Sequence, residues 1–297
     1  MKPGVTIVVP VFNGEDYLRY CLRSLMKQSF RDFDVIIVDD GSRDESPNIA
    51  DKFCRADARF RLIRNEMNKG LPASLNIGSR ESRRSHQTWI SHDNVLGEDW
   101  IESMYKNITQ GKEEIVYSDY FLFDSFEEPR HLSKVESDEF LFCGNVIGAS
   151  FIYSSEVFMQ IGGYDESKFL FEDYDFFVRA KRAGFKFRKI PIQNYFYRVH
   201  NQQLSSTHRL PKHYYQYRLS LIEFIPNNYT NVRARAIISL LHVAWSAKAW
   251  QVFVQCLKLL ASSDLSSATR YLMGRMLLRF LRNIGLRETS RLKNRTM

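Results

Sequence analysis

In the first 120 residues, short continuous apolar runs alternate with segments whose apolar residues recur every three or four positions. VTIVVP (5–10) is a short, largely apolar and β-branched run, as in a strand covered on both faces. Residues 15–28 put Leu18, Cys21, Leu22 and Leu25 on one side of a helix. FDVIIVDD (33–40) predicts a second buried strand that breaks into acid and then Gly-Ser, and a short helix follows over 45–55. FRLIRN (60–65) predicts a third strand, and NKGLPASLNIG (68–78) opens a helix with Pro72 in its first turn. A fourth strand over 88–91, a helix from Asp99 and a fifth strand over 113–119 complete the alternation.

Such alternation predicts right-handed βαβ units, an α/β fold with a mostly parallel sheet flanked by helices. Ligands of these sheets bind beyond the carboxyl ends of the strands. Asn13, Asp39, Asp40 and Asp93 each follow a predicted strand and are expected on one rim. After residue 120 the strands become shorter and more aromatic, separated by the Gly-rich stretches GNVIGASFIYS and IGGYDES. DYDFFVRAKRAGF (173–185) has helical spacing, FRKIPIQNYFYRVH (187–200) predicts two short strands, and from about residue 210 the pattern is helical. The expected organisation is a domain over 1–204 and a helical C-terminal region over 205–297.

Composition is that of a globular protein: 297 residues, 44% hydrophobic and 26% charged. The four cysteines form no C-x-x-C pair, so packed thiols are expected rather than a disulfide framework or zinc site. The N-terminal apolar run is short and interrupted by Pro10 and Asn13, which argues for a strand rather than an export signal and for a cytoplasmic protein. Charge does change the picture. The total is +8, yet residues 205–297 carry 15 Lys/Arg against 3 Asp/Glu, the mark of a basic appendage. Residues 236–260 are apolar but interrupted by His242, Lys248, Gln251 and Gln255, a poor membrane span. Over 270–287, Arg275, Arg279 and Arg282 fall opposite Met273, Met276, Leu277, Phe280, Leu281 and Ile284. That pattern fits a helix lying on an anionic membrane, or one packed on the first domain with its basic face in water. No nucleic-acid-binding module is recognised.

Several short motifs carry chemistry. VPVFNG is a strand running into a turn, either a plain strand end or a backbone approach to a flat base with Phe12 as a wall. Asp39 and Asp40 suit the hydrogens of a base imide or a ribose diol, although D-G-S is also good turn and capping chemistry. In WISHDNV a single acid, Asp93, sits among Ser91, His92 and Asn94. One carboxylate suffices for a cation that keeps most of its shell as water and phosphate. FEDYDFFVRA offers Glu172 and Asp173 as proton acceptors, or as acids placed at a helix start by its dipole.

Together these motifs resemble family 2 glycosyltransferases, inverting enzymes of the GT-A fold, in the family's order over roughly residues 3–204. The resemblance implies a metal-dependent transfer from a nucleotide-diphosphate sugar, UDP-linked, to a glycan or lipid-linked acceptor in bacterial surface-polysaccharide synthesis, at the inner face of the membrane. It implies that Pro10, Phe12, Asn13, Asp39, Asp40, Asn68, Ser91 and His92 lie at the donor. Asp93 and His200 would hold Mn2+ or Mg2+, and Asp173 would be the base with Glu172 beside it. The family's usual D-x-D is S-H-D here, and Leu75 stands where an arginine is usual. Tyr164 or Phe171 are candidates for stacking on a sugar ring. Two rivals remain: a sugar nucleotidyltransferase, which would want a Gly-rich basic loop after the first strand, and a nucleotide-binding protein without catalysis.

Overall fold

The computed structural model describes residues 1–111, 114–124, 131–204, 209–225 and 229–262. They fall into two compact units: residues 1–138 with 146–209, and residues 139–145 with the chain from Leu210 onward.

The first unit is built on a seven-stranded sheet. Its strands are β1 (Lys2–Val11), β2 (Phe33–Asp39), β3 (Phe60–Arg64), β4 (Arg84–Trp89), β6 (Ile115–Ser118), β9 (Phe151–Ser154) and β10 (Phe187–Ile190). Their order is β10-β6-β9-β4-β1-β2-β3. All neighbours run parallel except β9, which is antiparallel to both β4 and β6. Val5, Ile7, Val8 and Val9 of β1 are buried, as a strand covered on both faces requires. The covering helices are α1 (Leu18–Met26), α2 (Ser46–Ala56), α3 (Leu71–Arg80), α4 (Trp100–Gln110), α5 (Ser155–Ile161) and α6 (Glu172–Arg182). Leu18, Cys21, Leu22 and Leu25 of α1 join the core, the side that their spacing predicts.

Two features differ from the sequence expectation. The fourth strand lies at 84–89 rather than 88–91, because RSHQTW pairs with β1 and β9 despite its polar composition. Ile90 still donates to the Val8 carbonyl, and the chain leaves the ladder after it. A second sheet, ordered β5-β11-β7-β8, is formed by β5 (Val95–Leu96), β7 (Tyr120–Phe123), β8 (His131–Ser133) and β11 (Tyr195–Arg198). Its two-residue β5 is too short to leave a periodic signal. β5 and β11 are antiparallel, with Val95 opposite Phe196 and Leu96 opposite Tyr195. That register brings the polar end of WISHDNV beside the residues that follow β11.

In the second unit, α7 (Lys212–Leu221), α8 (Thr230–Ser246) and α9 (Trp250–Ser262) bury Tyr214, Leu221, Ile237, Leu241, Val252 and Cys256. Buried Arg218 donates to the Cys143 carbonyl and to Ser239 Oγ, so its charge is hydrogen-bonded rather than stranded. Trp250, Val254 and Leu257, at i, i+4 and i+7 on α9, are exposed. No helix among the described residues is long and apolar enough to cross a membrane. The basic amphipathic stretch 270–287 lies outside the described residues. All four cysteines are free thiols.

One buried amide ties α1 to α4. Gln28 Nε2 donates to the carbonyls of Ser24 and Gly97, and its Oε1 accepts from the Ile101 amide in the first turn of α4. Gln28→Ala strands the Ile101 N–H and leaves the Gly97 carbonyl only its bond from the Trp100 amide. Urea melts are expected to show a loss of about 2–4 kcal/mol; a loss within 0.5 kcal/mol, the usual range for a surface substitution, would contradict this role.

Candidate active site

The turns after β1 and β2 are joined by polar side chains at alternate positions. The amides of Asn13, Gly14 and Glu15 donate to Ser42 Oγ (2.9 Å), Ser46 Oγ (2.9 Å) and Asp44 Oδ2 (3.0 Å). In return, Asn13 Oδ1 accepts from the Arg43 amide at 3.0 Å. Asn13 has φ 50°, a left-handed conformation that asparagine tolerates. Pro10 is buried in β1 opposite Val38, whereas Phe12 is 45% exposed at the rim. Ser42, Asp44 and Ser46, which follow the paired acids Asp39 and Asp40, thus organise the neighbouring turn.

Asp39 and Asp40 do different work. Asp40 accepts from Asn65 Nδ2 (2.8 Å) and the Lys69 amide (2.9 Å) on Oδ1, and from the Gly70 amide (2.8 Å) on Oδ2. It therefore holds the 65–70 loop by both oxygens. Gly41, at φ 76°, lies against the same loop, and a Cβ there would sit 2.9 Å from the Met67 carbonyl carbon. Asn68 is exposed and caps the loop through its own Oδ1 to the Gly70 amide. Asp39 is wholly buried and pairs with Arg64, its cross-strand neighbour on β3, at 3.0 Å. An open pocket of about 410 Å³ lies here, lined by Gly41, Ser42, Arg43, Arg64, Asn65 and Glu66. Leu75 is fully buried and contributes nothing to it.

The stretch WISHDNV turns at Asp93. Asn94 Nδ2 donates to the Tyr195 hydroxyl, and Asn94 Oδ1 accepts from the Arg198 amide at 2.9 Å. Arg198 Nε donates to the Asp93 carbonyl. These bonds fix the loop to β11 and bring His200 Nε2 to 2.9 Å from Asp93 Oδ2. His200 Nδ1 is buried without a hydrogen-bond partner. Tyr17 packs on the His200 ring with centroids 4.8 Å apart, and the Arg198 guanidinium lies over Tyr17 and Phe123. Ser91 is partly buried, and its carbonyl accepts from the Asn94 amide.

Among the described residues no group of three or more His, Cys, Asp and Glu is placed to hold a metal. The Asp93–His200 pair nevertheless fits a divalent cation. Adjacent ligands of an octahedral ion at 2.0–2.1 Å stand about 3 Å apart, the separation of these two atoms. The remaining positions would fall to water and phosphate, and the imidazole favours Mn2+ over Mg2+.

His92 points elsewhere. Its ring lies under Gly14, where a Cβ would meet Cδ2 at 2.3 Å. Burial pushes its pKa below the usual histidine range, against the opposing pull of Asp93. A small residue at position 14 is therefore a condition for the ring to sit there.

Glu172 and Asp173 open α6, the helix that returns the chain to the start of β10. Its N-terminus thus lies at the strand-end rim. Asp173 Oδ1 accepts from the Tyr174 amide, while Asp175 is buried in an ion pair with Arg179 at 2.7 Å. Glu172 is buried with Oε2 unpartnered. Burial, followed by the charge of Asp173, pushes its pKa up to about 8, so desolvation outweighs the helix dipole. Tyr164 and Phe171 are buried; Tyr164 stacks on Phe176, and Asn76 holds its backbone by both amide atoms. Neither ring is offered to a sugar. Tyr17, Arg64, Asn65 and Asn94 were not legible as site residues because their partners are distant in sequence.

The model of Glycosyl transferase family 2 matches residues 6–169. The chain belongs to this family. It is 30% identical over 224 residues to an uncharacterised glycosyltransferase of Rickettsia typhi, covering 69% of this chain and 67% of that one. It is 34% identical over 123 residues to glycosyltransferase GlyA of Streptococcus pneumoniae, of which it spans only 18%. The fold resembles S. aureus TarS 1–349 in complex with UDP-GlcNAc (TM-score 0.64, 15% identity, 95% of this chain and 89% of that one). It also resembles mannosyltransferase PcManGT from Pyrobaculum calidifontis in complex with GDP-Man and Mn2+ (TM-score 0.61, 13% identity, 95% and 81%). The family 2 chain thus has the GT-A fold that its motifs imply.

Two substitutions check the site's construction. Gly14→Ala forces His92 to move, and chemical denaturation is expected to show a loss of about 1–3 kcal/mol. Glu172→Gln tests the raised carboxyl. Below about pH 4.5 the carboxyl is protonated folded or unfolded; as pH rises towards 8 only the unfolded state releases its proton, so stability falls. Relative to wild type, the glutamine variant is expected to gain stability between pH 5 and 8.5, by on the order of a few kcal/mol. A pH-independent difference in urea melts would contradict the raised pKa.

Proposed function

We propose that this chain transfers a sugar, with inversion, from a UDP-linked nucleotide sugar to a hydroxyl of a glycan or lipid-linked acceptor in cell-surface polysaccharide synthesis. The observation that carries the reading is the Asp93–His200 pair at the strand-end rim of a family 2 chain, two groups 2.9 Å apart that would suit neighbouring positions on a divalent cation. The donor would lie along this rim, its nucleoside at the pocket beside Asp39 and its diphosphate at Asp93. Pro10, Phe12 and Asn13 would border the nucleoside, with Asn68 on the 65–70 loop, and Ser91 would line the approach to the diphosphate, while His92 supports the turn after β1 from beneath Gly14. A bound Mn2+ or Mg2+ supplies charge stabilisation to the departing diphosphate. Asp173 takes the proton of the attacking hydroxyl, and Glu172, kept protonated near neutrality, adds no second negative charge beside it. TarS bound to UDP-GlcNAc and PcManGT bound to GDP-Man and Mn2+ support a nucleotide-sugar donor and a divalent cation.

The acceptor would be reached at the cytoplasmic face of an anionic membrane, with residues 236–287 as the contact. The exposed Trp250, Val254 and Leu257 support that placement. A nucleotide-binding protein without turnover is the second reading, favoured by the absence of a third acidic or histidine ligand among the described residues.

UDP release from UDP-sugars with Mn2+ separates the two. Asp93→Ala is expected to lower metal-dependent release at least about 100-fold, whereas His92→Ala lowers it less than about 10-fold. Asp173→Asn is expected to lose transfer while still binding UDP. Full metal-dependent activity in the Asp93 variant would sink the metal assignment, and UDP binding without turnover in the wild type would favour the second reading.

A further inference from the structure

The pocket beside β2 and β3 contains a cation whose hydrogen-bonding capacity is mostly unspent. Arg64 has a side chain 57% exposed, and it is anchored by a carboxylate that is 0% exposed. Its Nε–H goes to Asp39 Oδ2 at 3.0 Å. The other Asp39 oxygen accepts from the Ser42 amide at 3.3 Å. Among the described residues the guanidinium has no further hydrogen-bond partner, which leaves the four N–H groups of its two terminal nitrogens available. The same pocket is lined by Gly41, Ser42, Asn65 and Glu66.

Two consequences follow. A ligand entering this pocket cannot touch Asp39 while Arg64 covers it, because the carboxylate has no accessible surface. What the ligand meets instead is a planar donor fork held in place by a buried charge, an arrangement suited to acceptor atoms in a plane. The pocket is also far from the cation pair. Arg64 ends β3, and Asp93 follows β4; in the sheet order β4-β1-β2-β3 these strands are three steps apart, about 14 Å at the usual strand spacing. A nucleoside diphosphate laid along the rim with its phosphates at Asp93 has its base, rather than its phosphates, at Arg64.

We propose that Arg64, oriented by Asp39, reads the base of the donor nucleotide by donating hydrogen bonds to a ring carbonyl such as O4 of uracil. Asp39 is then a positioning residue, and its role in recognition runs through the guanidinium. A base with an amino group at the corresponding edge, such as adenine, presents donors to donors and is disfavoured. The inference rests on the nucleotide-sugar reading above and assigns its specificity to one side chain.

The test is calorimetric titration of UDP and ADP, with Mn2+ present, into wild type, Arg64→Ala and Arg64→Lys. Wild type is expected to prefer UDP. Arg64→Ala is expected to bind UDP about 10-fold to 100-fold more weakly, with ADP little changed, so that the preference narrows. Arg64→Lys keeps a cation beside Asp39, decides the matter if the alanine variant fails to melt cooperatively, and is expected to lose the preference as well. Unchanged UDP affinity in both variants would overturn the inference and leave the donor reading standing. Equal weakening of UDP and ADP would overturn it too, since that places Arg64 on the diphosphate. A wild type that binds no nucleoside diphosphate would overturn the donor reading itself, and this inference with it.

Discussion

A parallel sheet ends each strand in a turn whose amides and carbonyls have lost their ladder partners, and a turn near the core cannot leave them unpaired. The rest of the site depends on how this chain meets that constraint. Carboxylate, hydroxyl and amide side chains supply the missing partners: Asp40 for the 65–70 loop, Ser42, Asp44 and Ser46 for residues 13–15, and Asn94 for the start of the link to β11. Each bond also closes a long loop of chain. The rim is therefore a set of turns stitched to one another rather than six independent connections.

Buried acids on this rim escape desolvation in different ways. Asp39 pairs with a guanidinium, and Asp40 accepts from three N–H donors. Asp93 shares its oxygen with His200. Glu172 has none of these partners and instead holds its proton to about pH 8. Its neighbour Asp173 is only partly buried and keeps contact with water. The two adjacent carboxyls at the start of α6 thus differ in their exposure.

The sheet was legible because strands covered on both faces must be mostly apolar, as VTIVV and VIIV are. β4 was misplaced because RSHQTW gains its place from pairing with β1 and β9, a tertiary effect without local signature. The rim residues were visible as polar positions after apolar runs, but their partners were not. Asp39 and Asp40 look alike in sequence, and only the fold shows one facing Arg64 and the other the 65–70 loop. His200 was reachable by resemblance alone, since the β5–β11 register that carries it to Asp93 rests on two residues of strand. Tyr164 illustrates the opposite error: an aromatic in a Gly-rich turn looked available, yet its ring is core.

The turn after β1 has a mechanical consequence. Within five residues it touches the turn after β2 through Asn13, lies on the His92 ring through Gly14, and packs on His200 through Tyr17. It behaves as a crossbar between the two ends of the rim. A shift of a few tenths of an ångström at one end has no slack to absorb it, because the middle of the bar is a glycine already in contact with a ring. Substitutions here should therefore be transmitted as rigid displacement, and a change that enlarges the pocket beside Asp39 would also move the Asp93–His200 pair.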